Sequence, residues 1–280
     1  MKKTALPIYL FLLTLGTGVL LVPTVSADEY WEQRVSLFDT LPVYRSDIVF
    51  LGNSITDGGE FSELFGIPNI KNRGIRSDII NGVRKRLHQV TSGHPQKIFL
   101  LIGINDVAYG HGPQRIAERY RELVRDIRTQ SPETELIIQS IMPINNSFRR
   151  YKGLFGREKE IVALNGLLSE IAKEEGATFV DLTPALSDAK GNLKKEYTND
   201  GLHLTGKGYK AWGAAISSLV SAPVSIQTTE SENEQQPDQE IQPQQQEESL
   251  QEAGAEGDES SEEILPLVGS KVEHIATRRR

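Results

Sequence analysis

The chain has 280 residues, 31 Lys plus Arg against 38 Asp plus Glu, 38% hydrophobic content and no cysteine. These figures suit one folded domain with appendages, since a single domain usually takes about 100 to 200 residues. They exclude a disulfide scaffold and every cysteine-ligated zinc or iron–sulfur site. The formal charge of −7 is unevenly spread: residues 222–263 carry 13 acidic side chains and no basic one, whereas residues 28–221 hold 25 basic against 24 acidic. A nearly neutral body offers no basic stripe to neutralise phosphates, so nucleic acid is not an expected partner.

In chain order, Lys2 and Lys3 precede an apolar stretch over 5–25, and Val25-Ser26-Ala27 puts small residues where a signal peptidase reads. This predicts a signal peptide over 1–27 and an exported protein, periplasmic or secreted, with no stable membrane span after cleavage. The competing reading is an uncleaved span, for which the run is just long enough, although Gly16, Gly18 and Pro23 weaken such a helix. The folded domain is expected over 28–221. Residues 222–280 form an acidic tail rich in Glu, Gln and Ser, with too few apolar side chains to offset the entropy of ordering, and are expected to be disordered. The tail's partner is not named by its composition.

Within the body, apolar runs at 48–51, 98–102, 136–141 and 178–182, with a weaker one at 69–72, read as strands buried on both faces. Helical periodicity covers 78–90, 113–129, 158–175 and 205–220. Ile116, Tyr120, Leu123, Val124 and Ile127 form a stripe at spacings of three and four, and Gly176 closes the third helix. Strands alternating with such helices predict a three-layer α/β/α sandwich around a five-stranded parallel sheet.

Ligands bind such a sheet beyond the carboxyl ends of its strands. Four segments fall on that rim: Gly52-Asn53-Ser54-Ile55-Thr56-Asp57, Asn72-Arg73-Gly74, Gly103-Ile104-Asn105-Asp106, and Asp200-Gly201-Leu202-His203. A serine hydroxyl needs a base to take its proton, and neutral imidazole titrates in the right range. A carboxylate three residues before that imidazole is close enough, in a turn, to orient it.

Over residues 46–220 these four blocks, in this order, resemble the SGNH hydrolases, also called GDSL esterases and lipases. The resemblance implies the flavodoxin-like α/β fold of that family, with Ser54 as nucleophile, His203 as base and Asp200 as its partner. It also implies an oxyanion hole built from the amides of Ser54 and Gly74 and the side chain of Asn105, with no metal and no cofactor. Asn53 and Ile55 stand where the name-giving motif has Asp and Leu, and neither position carries chemistry in the family.

Each of these residues has a plainer reading: Ser54 as a helix cap, Gly74 as a turn glycine, Asn105 as an Asx-turn, Asp200 and His203 as a surface ion pair. Asp78 and Thr205 read as helix N-caps and Asp106 as a loop brace. His88, His94, His111 and His274 lack metal-ligand spacing, and Gly58-Gly59 is no dinucleotide fingerprint.

The first block looks like those of acetylhydrolase-like and sialate O-acetylesterase-like members, which implies an esterase removing a short acyl group, acetyl foremost, from a carbohydrate ester. The alternatives are a lysophospholipase or thioesterase acting on envelope lipids, and a non-catalytic glycan-binding module. The loop 143–155 carries Phe148, Arg149, Arg150 and Tyr151 near the same rim, where Arg149 and Arg150 would hold the carboxylate of an acidic sugar such as an O-acetylated sialic acid.

Overall fold

The computed structural model describes residues 26–221. The leader expected over 1–27, apart from Ser26 and Ala27, and the tail expected over 222–280 lie outside them.

The elements run as α1 (Ala27–Asp39), β1 (Ile48–Gly52), α2 (Ser54–Asp57), α3 (Phe61–Phe65), β2 (Ile70–Gly74), α4 (Ile80–Lys85) and α5 (His88–Thr91). After these come β3 (Lys97–Leu101), α6 (Ile104–Ala108), α7 (Pro113–Gln130), β4 (Glu135–Gln139), α8 (Glu158–Glu174), β5 (Thr178–Val180), α9 (Thr183–Leu186) and α10 (Gly206–Ser221). All strand pairs are parallel, in the order β2-β1-β3-β4-β5, the flavodoxin-like arrangement. The chain reverses its direction of winding between β1 and β3, so the loops leaving these two strands diverge and open a crevice.

The strands form where the apolar runs predict, because β1 and β3 are buried at every position. Phe50 stacks on Phe61 at 3.9 Å and on Phe99 at 4.8 Å, while Trp212 of α10 meets it edge-on. On the α7 side, Ile116, Tyr120, Leu123, Val124 and Ile127 are all buried, as their spacing requires. Helix α7 packs against α4 and α8, and α10 packs against α3 and α9.

Besides the short helices α2, α3, α6 and α9, for which no helical periodicity is expected, three elements differ from expectation. The edge strand β5 ends at Val180 and is only half-buried, because no further strand covers it. The helix expected over 78–90 is broken into α4 and α5 at Arg86, whose side chain turns inward to bond the carbonyls of Gly52 and Arg73. Helix α1 has no counterpart in the sequence reading. It is opened by a capping box between Ser26 and Glu29, and only Phe38 of its residues is buried, so its apolar periodicity is faint. It docks through polar tips instead: Trp31 Nε1 donates to Asp78 Oδ1 at 3.2 Å and Tyr30 Oη to Asp57 Oδ1 at 3.1 Å.

Candidate active site

The registers Gly52↔Gly74 and Gly52↔Leu101 align the carboxyl ends of β1, β2 and β3, and the candidate residues leave the sheet there. Ser54 is the first residue of α2, whose cap is Asn53: its Oδ1 accepts from the Ile55 amide at 3.0 Å. The cap is thus supplied by the residue that departs from the Asp of the family motif, and the Ser54 hydroxyl is left free to point elsewhere. From α10, Tyr209 Oη donates to the Ile55 carbonyl at 2.8 Å and pins this short helix.

His203 lies in the turn before α10, with Nε2 2.9 Å from Ser54 Oγ and Nδ1 2.7 Å from Asp200 Oδ2. The other carboxylate oxygen of Asp200 accepts from the amides of Leu202 at 2.9 Å and His203 at 2.8 Å. Burial opposes ionisation of Asp200. The hydrogen bonds from His203, Tyr151 and those two amides outweigh it and hold the carboxyl well below the ordinary carboxylate range. Residues 149 positions apart in sequence are thereby joined in the arrangement that removes a proton from a hydroxyl.

Asn105, in α6, lines the cleft beside Ser54. Its Nδ2 gives one hydrogen to the Asp78 carbonyl at 2.8 Å, which fixes the amide plane and leaves the second hydrogen for a ligand. Asp106 is buried directly behind it, with Oδ2 accepting from the Ile80 amide at 3.2 Å and Arg119 Nη1 3.8 Å from Oδ1. That is the bracing role its position predicts.

Gly74 does not stand where an oxyanion donor is needed. Its amide is already given to Asn72 Oδ1 at 2.8 Å, and it is not among the residues lining the cleft. It is glycine because its α-carbon lies against the Asp57 backbone, where a Cβ would collide. Asn72 also donates to the carbonyls of Thr56 and Gly59, both at 2.7 Å, so this block staples the loop after Ser54 to β2. The cleft is lined instead by Ser77, three residues on, which sits at φ +61° in a turn closed by the Asp78 amide on the Ile75 carbonyl. The sequence carries no signal for it, since the third position of such a turn favours glycine or asparagine and this chain has serine there.

The cleft has a volume of about 860 Å³. Arg76, Arg150 and Lys152 bring positive charge to it; Arg76 is paired with Asp57 at 2.9 Å. The two arginines of the 143–155 loop separate: Arg150 lines the cleft, whereas Arg149, held at φ +54° as the cap of a 3-10 turn, is exposed and does not. A fork made by both side chains is therefore not formed. Tyr151, between these arginines and Lys152 in the chain, aims its hydroxyl at Asp200 Oδ2, 2.7 Å away. Tyr109, two-thirds exposed, stands on the cleft wall.

Asp78 is no helix cap: it forms a buried pair with Arg86 at 2.8 Å, and Ile79 caps α4. Among the described residues no group of three or more His, Cys, Asp or Glu is placed to hold a metal ion, and no helix is long and apolar enough to cross a membrane.

Among known proteins, the chain is 25% identical over 192 residues to platelet-activating factor acetylhydrolase IB subunit alpha2 of Gallus gallus, covering 66% of this chain and 81% of that one. It is 24% identical over 184 residues to N-acylneuraminate cytidylyltransferase of Escherichia coli; the match covers 62% of this chain but spans only 40% of that protein's length. A solved structure from Streptococcus pneumonia, described as a platelet activating factor, superposes with a TM-score of 0.64 at 29% identity, covering 69% of this chain and 94% of that one. Residues 50–211, which run from the middle of β1 into α10 and contain the serine, asparagine, aspartate and histidine brought together here, match the GDSL-like Lipase/Acylhydrolase family, and the chain belongs to it.

Proposed function

We propose that this acylhydrolase is an exported serine esterase that removes short acyl groups, acetyl foremost, from carbohydrate esters. The observation that carries the reading is the unbroken relay from Ser54 Oγ to His203 Nε2 at 2.9 Å and from His203 Nδ1 to Asp200 Oδ2 at 2.7 Å. Ser54 Oγ attacks the ester carbonyl carbon while His203 Nε2 takes its proton, and Asp200 stabilises the imidazolium. The oxyanion is received by the Ser54 amide, the free hydrogen of Asn105 Nδ2 and, in place of Gly74, the Ser77 amide. Collapse expels the sugar alkoxide, which takes the proton from His203. Water then attacks the acyl-serine with His203 again as base, releasing the acid.

The cleft supports a polar substrate over a long chain. Its lining mixes Ala108, Leu154, Leu202 and Leu204 with Arg76, Arg150 and Lys152, and the cations together with the exposed ring of Tyr109 as a platform support a sugar. The cations favour an acidic sugar. One relative is named for an N-acylneuraminate and another for an acetylhydrolase, which agrees with an O-acetylated sialic acid as substrate and acetyl as the group removed.

The test has two parts. A fluorophosphonate should label the purified protein and fail to label Ser54→Ala; equal labelling of both ends the esterase mechanism written above. Hydrolysis should then be compared on O-acetylated sialic acid, a neutral acetylated sugar and a long-chain ester. Preference for the long-chain ester would overturn the carbohydrate reading. Loss on the acidic sugar alone in Arg150→Ala and Lys152→Ala would tie those cations to the carboxylate.

A further inference from the structure

The relay between Ser54, His203 and Asp200 has a fourth member. Tyr151 Oη lies 2.7 Å from Asp200 Oδ2 and 2.9 Å from His203 Nδ1, and these two atoms are themselves 2.7 Å apart. The three polar atoms make a closed triangle on the side of the imidazole away from the serine. The tyrosine ring meets the imidazole edge-on, with centroids 5.6 Å apart and planes at 71°.

The proton inventory of this triangle is determined by its chemistry. An ionised carboxylate only accepts, so the single hydroxyl proton of Tyr151 goes to Asp200 Oδ2. That leaves the Tyr151 oxygen lone pairs facing Nδ1, and the Nδ1 proton is shared between the carboxylate and the phenol oxygen. Nδ1 is then the protonated nitrogen and Nε2, facing Ser54, the bare one, as proton abstraction requires. Burial and the neighbouring carboxylate push the Tyr151 hydroxyl up to about 12, so it keeps its proton throughout the working range.

We propose that Tyr151 is a positioning residue: its hydroxyl closes a hydrogen-bonded ring with Asp200 and His203 that holds the imidazole in the orientation and tautomer that aim Nε2 at Ser54. The inference rests on the reading of Ser54, His203 and Asp200 as the reacting group. Its neighbours Arg150 and Lys152 line the cleft, so the same segment carries both substrate-facing cations and the residue that braces the base. Recognition by this segment is read in KM, and positioning by Tyr151 in kcat.

Tyr151→Phe keeps the ring and its packing and removes only the hydroxyl. With the full chain and p-nitrophenyl acetate as a small neutral probe, kcat should fall about tenfold, the loss that accompanies one hydrogen bond to a charged group, with KM within about twofold. The thermal midpoint should hold. Without the phenol donor, the Asp200 charge is directed at the imidazolium alone, so the acid limb of kcat/KM should move to higher pH. The downfield imidazole proton resonance of His203 should shift with it.

An unchanged kcat with an unmoved acid limb would overturn the proposal. So would a loss confined to KM, or a loss of kcat that tracks a fallen thermal midpoint while the acid limb stays in place. Ser54→Ala separates the two levels. If it retains hydrolysis, the serine mechanism itself fails; if it is inactive while Tyr151→Phe behaves as wild type, only the role of Tyr151 falls.

Discussion

Arg86 Nε lies 2.8 Å from Asp78 Oδ2, and both side chains are almost wholly withdrawn from solvent. The same guanidinium donates from Nη2 to the carbonyls of Gly52 at 3.2 Å and Arg73 at 3.0 Å, the ends of β1 and β2. Asp78 in turn accepts from Trp31 and the Ile79 amide, and its carbonyl accepts from Asn105. One buried ion pair therefore joins α1, two strand ends and the asparagine of the cleft.

Arg86→Met should destabilise the fold by about 3 to 5 kcal/mol, because it leaves the Asp78 carboxylate buried without its counter-charge. Urea unfolding measures this. A loss below about 1 kcal/mol would mean that water or another cation enters to replace the guanidinium.

Burial raises Asp106 from 3.8 to about 6. The folded chain therefore holds this proton more tightly than the unfolded one. The contribution to stability is fully present below pH 4 and is lost as pH rises through about 6. Asp106→Asn removes the titration and keeps an acceptor for the Ile80 amide. The variant should gain on wild type by about 3 kcal/mol between pH 4 and pH 7.5, measured as the difference of their unfolding free energies. A difference that stays flat over that interval would show that Arg119 compensates the charge.

Ser54→Ala and His203→Ala should each abolish ester hydrolysis while leaving unfolding nearly unchanged, and the double variant should be no slower than either, since both remove one step. Asp200→Asn should lower kcat by about ten-thousand-fold through the wrong imidazole tautomer. Retention of most activity in Asp200→Asn would assign the orientation of His203 to Tyr151 alone.

Gly74 and Ser77 should respond in opposite ways. Gly74→Ala should lower stability, because the added methyl meets the Asp57 backbone. Ser77→Gly relieves a left-handed serine, worth about 1 kcal/mol, and keeps the amide, so stability should hold or rise and kcat should remain within a few-fold. Collapse of kcat in Ser77→Gly would show that the serine side chain, and not its amide, faces the reaction.

The strands β1 and β3 were legible because burial on both faces leaves an uninterrupted apolar run, and α7 because one face is buried and the other is charged. Ser54, Asn105, Asp200 and His203 were legible for a related reason: a parallel sheet delivers the loops after its strands to one rim, so position along the chain becomes position in space. Helix α1 was not, since Tyr30 and Trp31 hold it through hydrogen bonds to partners 27 and 47 residues away, and no periodicity records such contacts. The choice of Ser77 over Gly74 depended on where a turn closes after β2, and the placement of Tyr151 on a loop returning across 49 residues to Asp200. Local pattern states which face of an element is dry; which polar tips meet across the rim is decided only when the elements pack, because those bonds form between atoms whose separation the chain itself does not constrain.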